Sequence, residues 1–462
     1  MVQLIFEDSL NLFINDLIKT KTLQVGLIIG QFTANSKDFA IHFAKCPNPV
    51  DDEVEEELVN SDSENTKINE KIKQKNEAFK LNSNENIDVK WIVEHARQVT
   101  RMLTGGLMII GVYYSCSPEI YLKNQALLRQ CLYSVRKKSE NSKWIRNSIP
   151  HNERYFFHMC TLTGKLSCRT IDINDVQGSF KQATFRFQSF LSSWHSFSCF
   201  VDVNISSYVP VKESLKTEQK MTYACHDEIE SIWNSYASIN FKIVKDDQLI
   251  SENTKNKNTN KTKTTKKDIE IMLFKKNVSN NVLFSPDQIN TEIKFVGSIF
   301  AKAFIHQKGT YGEAVKALKV DIIRSLQSRI ELLCEEAQIN NLCQVNEWSL
   351  MSPIRVFVKA YEVYYCDYAF KDETQKETIS RFLDLLGINP SQNDLIYMEK
   401  SPDISDVSMI LRGERPVDIH SEMGSERSSI CLEEPSNFKF LASCIIALVA
   451  VVFSFIVILL KQ

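Results

Sequence analysis

The side chains in this chain best suited to holding a metal or attacking a substrate are its 8 His and 12 Cys, and their spacing assembles neither chemistry. A zinc site read from sequence needs Cys or His pairs at short spacing. The Cys stand at 46, 116, 131, 160, 168, 199, 225, 334, 343, 366, 431 and 444, with no CxxC and no Cys/His pair at finger spacing. There is no HExxH, no GxSxG nucleophile elbow, no phosphate-cradling GxxxxGK[ST] and no GxGxxG. His95, beside Glu94 in a helical pattern, reads as a structural or surface residue rather than a catalyst. Cys131 and Cys366 sit in apolar surroundings, which predicts reduced, buried thiols and suits a cytosolic domain. The sequons at Asn204, Asn260 and Asn277 are then expected to stay unmodified. No residue is assigned a catalytic, cofactor-binding or metal-binding role.

The elements around these residues belong to an ordinary globular chain of 462 residues, 43% hydrophobic, with 55 basic and 57 acidic side chains. That composition excludes a collagen, a coiled-coil rod and a wholly disordered chain. A net charge of −2 argues against nucleic acid as a partner. Helical spacing of Leu4, Ile5, Leu10, Ile14, Leu17 and Ile18 predicts a helix over 4–18. Leu23–Gly30 and Asp38–Ala44 read as a strand hairpin. Val89–Leu103 reads as a helix stopped at Thr104-Gly105-Gly106, Leu107–Tyr114 as a buried strand, and Ser117-Pro118 as the start of a helix to about Lys138. Tyr155–Ile173 reads as a hairpin and Phe185–Val209 as one or two strands. Beyond them come strands at 269–274 and 291–306, a helix over Gly312–Ala337, strands at Ile354–Val358 and Val363–Tyr368, and a helix over Glu373–Leu386 stopped by Gly387. Two stretches are expected to be disordered: an insertion at 47–86 with eight acids between Asp51 and Glu64, and a Lys/Asn/Thr loop at 253–267 with six Lys.

Phe440–Leu460 is 21 residues without a charge, bracketed by Lys439 and Lys461. At ~1.5 Å per residue it spans about 30 Å as a helix, the thickness of a bilayer core. A transmembrane helix is expected here, inserted after translation, with the bulk of the chain cytosolic and residues 398–439 as a flexible tether.

Hairpin, helix, strand, helix, hairpin over residues 20–175 resembles the JAMM (MPN) fold of isopeptidases. That family places Gly-x-Tyr-His-Ser-His-Pro after its first long helix, and the two His ligate zinc. Gly111-Val112-Tyr113-Tyr114-Ser115-Cys116-Ser117-Pro118 is the comparable stretch, with Tyr114 and Cys116 where the His would stand. Gln24 replaces the family's glutamate. The resemblance implies a pseudoenzyme domain over 1–210, followed by a second α+β domain over 211–397, so the expected fold class is α+β.

Several segments are also similar to the odorant-response-abnormal protein four homologues. They are Val25–Gln31, Glu94–Leu103 running into Gly105–Val112, Cys168–Ile173, Ala314–Ile322 with Arg329 and Glu331, and Arg355–Val358 followed by Cys366-Asp367-Tyr368. This resemblance implies a non-enzymatic adaptor at the endoplasmic-reticulum membrane. Such a protein assists folding, export or ciliary trafficking of multi-pass (odorant-type G-protein-coupled) receptors and anchors the ubiquitin-fold-modifier-specific peptidase. The implied partners are that peptidase, the receptors and the lipid bilayer, with no cofactor. The alternative, a metal-dependent JAMM-type isopeptidase acting on a ubiquitin-like modifier, rests on fold analogy alone. A vesicle-fusion anchor would need a heptad run beside the span, which 398–437 lacks.

Overall fold

The computed structural model describes residues 3–34, 37–47, 87–175, 178–210, 219, 222–223, 225–243, 245–250, 268–275, 289–339, 347–350, 352–399 and 409–412. The insertion at 47–86 beyond residue 47, the 253–267 loop and the Phe440–Leu460 run lie outside them. No helix among the described residues is long and apolar enough to cross a membrane.

The chain is a mixed α+β protein. Its first half is built on seven strands: β1 (Gln3–Phe6), β2 (Gln24–Gln31), β3 (Lys37–Lys45), β4 (Met108–Cys116), β5 (Glu153–Cys160), β6 (Leu166–Asp172) and β7 (Lys181–Phe187). They close a barrel in the order β1-β3-β2-β4-β5-β6-β7. The expected hairpins β2–β3 and β5–β6 are both present.

Residues 4–18 are not one helix. Gln3–Phe6 is the strand that closes the barrel, paired in parallel with β3 and β7, and helix α1 starts only at Leu10. Three consecutive apolar residues fit either period, so spacing alone could not decide between them. In the strand, Leu4 and Phe6 point into the barrel interior with Phe43, Tyr113 and Phe157, while Ile5 joins the core outside it. The interior is aromatic, with Phe6 and Phe157 centroids 4.6 Å apart.

Helices α2 (Val89–Arg101) and α3 (Pro118–Ser139) cover the outer face of β2 and β4. Each begins where its sequence says it should. Asp88 caps α2 by accepting from Lys90 and Trp91 backbone N–H groups, and Ser117 caps α3, with Pro118 in its first turn. Helix α3 is also the crossover that lets β4 and β5 run parallel.

The second half centres on a long antiparallel ribbon of β8 (His195–Pro210) and β9 (Ile289–Ile305), with helix α6 (Tyr311–Ile339) lying across it after two shorter helices, α4 (Lys143–Asn147) and α5 (His226–Trp233). Its core joins Phe197, Cys199 and Val201 to Ile299, Leu318, Ile322 and Leu326. A further sheet sets Ile354–Ala360 between Val363–Ala369 and Leu395–Tyr397, and helix α7 (Gln375–Leu386) packs beside it. Residue 210, the expected domain boundary, is the end of β8, whose pairing with β9 carries the chain across it. Both halves fall in one compact unit reaching Glu414.

The expected tether at 398–439 begins with structure. Glu399 is buried, and Met409–Arg412 is a strand paired with Glu347–Leu350. The strand's partner lies some sixty residues earlier, so a short apolar run in polar sequence gave no local sign of it.

Candidate functional site

Strand alternation turns Val112, Tyr114 and Cys116 to the same side of β4. That side is filled. The three residues share a core with Leu27 and Ile29 of β2, Ala96 and Val99 of α2, and Leu128 and Cys131 of α3. Tyr114 is 3% exposed and Cys116 1%. Burial, with Cys160 beside it in register, pushes the Cys116 thiol up to about 12, so it carries no useful thiolate at neutral pH. His158 stacks on Tyr121 with centroids 4.7 Å apart and its Nε2 lies 3.4 Å from the Cys116 carbonyl oxygen. Burial lowers its pKa.

Gln24 sits opposite Ser115, and its amide donates to the carbonyls of Val25 (2.6 Å) and Cys46 (3.0 Å). A catalytic zinc needs three protein ligands, an open position and a base. A phenol, a protonated thiol and a tied-down carboxamide in a packed layer do not fit it. Among the described residues no three His, Cys, Asp or Glu side chains gather to hold a metal.

Charge gathers instead where the barrel half meets the ribbon and α6. Arg97 and Arg101, one turn apart on α2, face Glu331 and Glu335, one turn apart on α6. Arg97 Nη1 reaches Glu335 at 2.9 Å, and Arg101 Nη2 reaches Glu331 at 2.9 Å and Glu335 at 2.7 Å. Burial works to raise the Glu335 pKa, but the hydrogen bonds and charges of Arg101 and Arg97 outweigh it and hold the carboxyl below its usual range.

Deeper in, Arg355 and Asp321 form a two-point pair, Nη1 to Oδ2 at 2.7 Å and Nη2 to Oδ1 at 2.8 Å, both side chains 0% exposed. Asp321 also accepts from the Lys302 backbone N–H at 2.9 Å. Arg329 pairs with Glu399, which accepts from the backbone N–H groups of Phe300 and Arg355. Arg324 donates to the carbonyls of Leu103 and Leu107, just past α2.

The backbone is spliced at the same place. Gly105 donates to the Lys302 carbonyl and accepts from Phe304, forming a bridge with Ala303. A Cβ on Gly105 would lie 2.5 Å from the Ala317 carbonyl oxygen on α6, so the close approach requires glycine. The Cys366 N–H donates to the Met102 carbonyl. Helix α7 ends at Gly387, in the left-handed region at φ 68°, and its last carbonyls are taken by two histidines: His42 Nε2 to Leu386 at 2.7 Å and His95 Nε2 to Leu385 at 2.9 Å. A carbonyl only accepts, so each ring carries its proton on Nε2. Burial lowers the pKa of both. His95 is therefore a buried structural residue.

The structure thus separates the positions that the sequence singled out. Gln24, Tyr114 and Cys116 are near neighbours but chemically closed. Arg97, Arg101, Asp321, Arg329, Glu331, Arg355 and Cys366, scattered over three separate segments, converge on one seam. Glu335 was findable from its four-residue spacing to Glu331. Lys302, Glu399 and His42 carried no local signal.

The odorant response abnormal 4-like (ODR4-like) family model matches residues 26–397. A "Protein odr-4 homolog" of Xenopus laevis is 27% identical over 97% of this chain and 98% of its own length. A human protein of the same description is 28% identical, over 86% of each chain. Among solved structures, UfSP from C. elegans aligns with a TM-score of 0.40 and 9% identity, covering 85% of this chain and 57% of that one. A likeness of that size says nothing about this fold.

Proposed function

We propose that this chain, which belongs to the ODR4-like family, is a non-enzymatic adaptor. It would be held at the endoplasmic-reticulum membrane by Phe440–Leu460, with its α+β body in the cytosol. There it assists folding, export or ciliary trafficking of multi-pass, odorant-type receptors and anchors the ubiquitin-fold-modifier-specific peptidase. We read the barrel half as an MPN-like pseudoenzyme domain, on the order of its elements around Gly111–Pro118.

The observation that carries this reading is the packed layer at Tyr114 and Cys116, where an isopeptidase would need an open metal. Anchoring to a membrane would raise the local concentration of the body near receptors and partners without any turnover. Among the described residues the isopeptidase alternative has no donor set in its favour.

Affinity purification of the full chain from detergent tests the reading. The modifier peptidase should co-purify, and truncation before Phe438 should release the body to the cytosol and reduce receptor export. A truncated form that stayed on membranes with normal export would overturn it, as would stoichiometric zinc with cleavage of a modifier conjugate.

A further inference from the structure

Outside the barrel, lined by none of the residues singled out in the β4 layer or the ionic seam, lies a cavity of about 690 Å³. That is the size of pocket that takes a small organic ligand. One wall is aromatic: Phe39 from β3, with Phe190 and Trp194 from the turn that follows β7. Trp194 meets the Phe39 ring edge-on at 5.6 Å and stacks with Phe190 at 5.5 Å. The mouth is cationic, with Lys37, Arg186 and Lys308 all exposed there and no carboxylate among the lining residues.

His306 also lines the cavity, stacked on Phe39 and 6% exposed. Its Nε2 is buried with no hydrogen-bond partner, the Glu313 carboxylate being 3.8 Å away, beyond hydrogen-bond distance. A buried polar atom without a partner is costly, and a ligand can supply one.

Both walls are fixed in place. The buried Glu7 carboxylate accepts from the Phe190 and Leu191 backbone N–H groups at 3.0 and 3.1 Å, fastening the aromatic turn to the end of β1. Across the cavity, Gln31 accepts from the His306 N–H at 3.1 Å and donates to the Phe304 carbonyl at 2.7 Å and the Gly106 carbonyl at 3.0 Å. Two clamps from the barrel therefore hold the cavity open, so a ligand would not have to order its walls.

From this geometry we infer that the cavity binds a ring-bearing organic phosphate. The ring lies against the Phe39–Phe190–Trp194 wall, the phosphate sits among Lys37, Arg186 and Lys308, and His306 Nε2 hydrogen-bonds the ligand. An aromatic wall gives nothing to a bare inorganic anion, and three exposed cations with no carboxylate among the lining residues disfavour a neutral ligand. A phosphate dianion matches the mouth better than a single carboxylate does. A soluble nucleotide and the headgroup of a phosphoinositide share this chemistry.

Calorimetric titration of the detergent-solubilised full chain with AMP, inositol trisphosphate and inorganic phosphate, all at one ionic strength, tests the inference. At least one organic phosphate should bind at least about tenfold more tightly than inorganic phosphate, about 1.4 kcal/mol. The K37E/R186E double variant should weaken it by at least about tenfold with the melting temperature unchanged, since both side chains are exposed. K308E serves as an independent second variant. Preference for AMP identifies a soluble source and preference for inositol trisphosphate a lipid one. Failure of both to bind, equal binding of inorganic phosphate, or indifference to both sets of charge reversals overturns the inference. None of these outcomes bears on membrane anchoring or on the peptidase, so this inference and the proposed function fail separately.

Discussion

The layer holding Tyr114 and Cys116 and the seam holding Asp321 and Arg355 are almost equally dry, yet they hold opposite chemistry. In the first, the polar groups are closed off: a phenol in the core, a thiol pushed up to about 12, an amide tied to the backbone. In the second, a full ion pair is kept at 0% exposure with nearly every acceptor used, because Asp321 also takes a backbone N–H. Burying charge costs free energy that apolar packing would not, and a buried pair is weak evidence for stability by itself. What the pair does supply is direction. A guanidinium fork accepts one arrangement of β9, α6 and the strand carrying Arg355, whereas apolar surfaces tolerate sliding. The role this difference assigns to the pair is to fix how those elements of the second half sit against one another, while the docking of the two halves falls to Arg97 and Arg101 on Glu331 and Glu335 and to Arg324 on the Leu103 and Leu107 carbonyls.

The sharpest way to break that comparison is Asp321→Ala, which leaves Arg355 buried and unpaired. It should cost about 3–5 kcal/mol in a denaturant or thermal melt. Adding Arg355→Met should recover a large part of that loss, and no recovery would mean that the pair is not the cause. Next in size, Arg97→Ala with Arg101→Ala removes a network whose side chains are 11–43% exposed toward Glu331 and Glu335. About 1–2 kcal/mol is expected, shrinking as salt is raised, in contrast to the salt-insensitive Asp321 site.

Cys116→Ala should cost only about 1 kcal/mol, because it removes one small buried atom and no partner-dependent charge. The native Cys116 thiol should also resist alkylation at pH 8, while it reacts freely in denaturant. The smallest effect per group concerns pH. His42, His95, His158 and His306 are all held below their usual value of 6.5, chiefly by burial. The unfolded chain therefore binds more protons than the folded one as pH falls. Stability is complete above about pH 6.5 and declines as pH drops through 6.5 toward the folded pKa values. Melts at pH 7.5 and 5.5 measure the slope, and His42→Gln with His95→Gln should flatten it.

Much of the fold was legible because its signals are local. Ser117-Pro118 announces a helix and begins one, Gly387 stops one in the left-handed conformation, and the apolar stripe from Ala314 to Leu333 lies buried against the ribbon. Thr104-Gly105-Gly106 was readable as a helix stop, yet the tight contact of Gly105 with Ala317 is invisible in any window around it. The burial of Tyr114 was legible in the apolar run Leu107–Tyr114, which reads as a buried strand, whereas the packing of Cys116 in the same core was not. The cavity had no such signature, since its lining comes from four places in the chain, near residues 5, 39, 190 and 306.

By itself the sequence determined the periods, the caps and stops, the residue types at Gln24, Tyr114 and Cys116 and the 21-residue apolar run at 440–460. These depend on neighbours within a few residues, where backbone geometry alone relates one side chain to the next. Only the tertiary structure decided that Gln3–Phe6 closes a barrel instead of starting a helix. It alone brought Arg97 to Glu335, His42 to Leu386 and Gln31 to His306, across 238, 344 and 275 residues of chain. Such partners are chosen by the packing of whole elements, and the energy that selects them exists only once those elements have met.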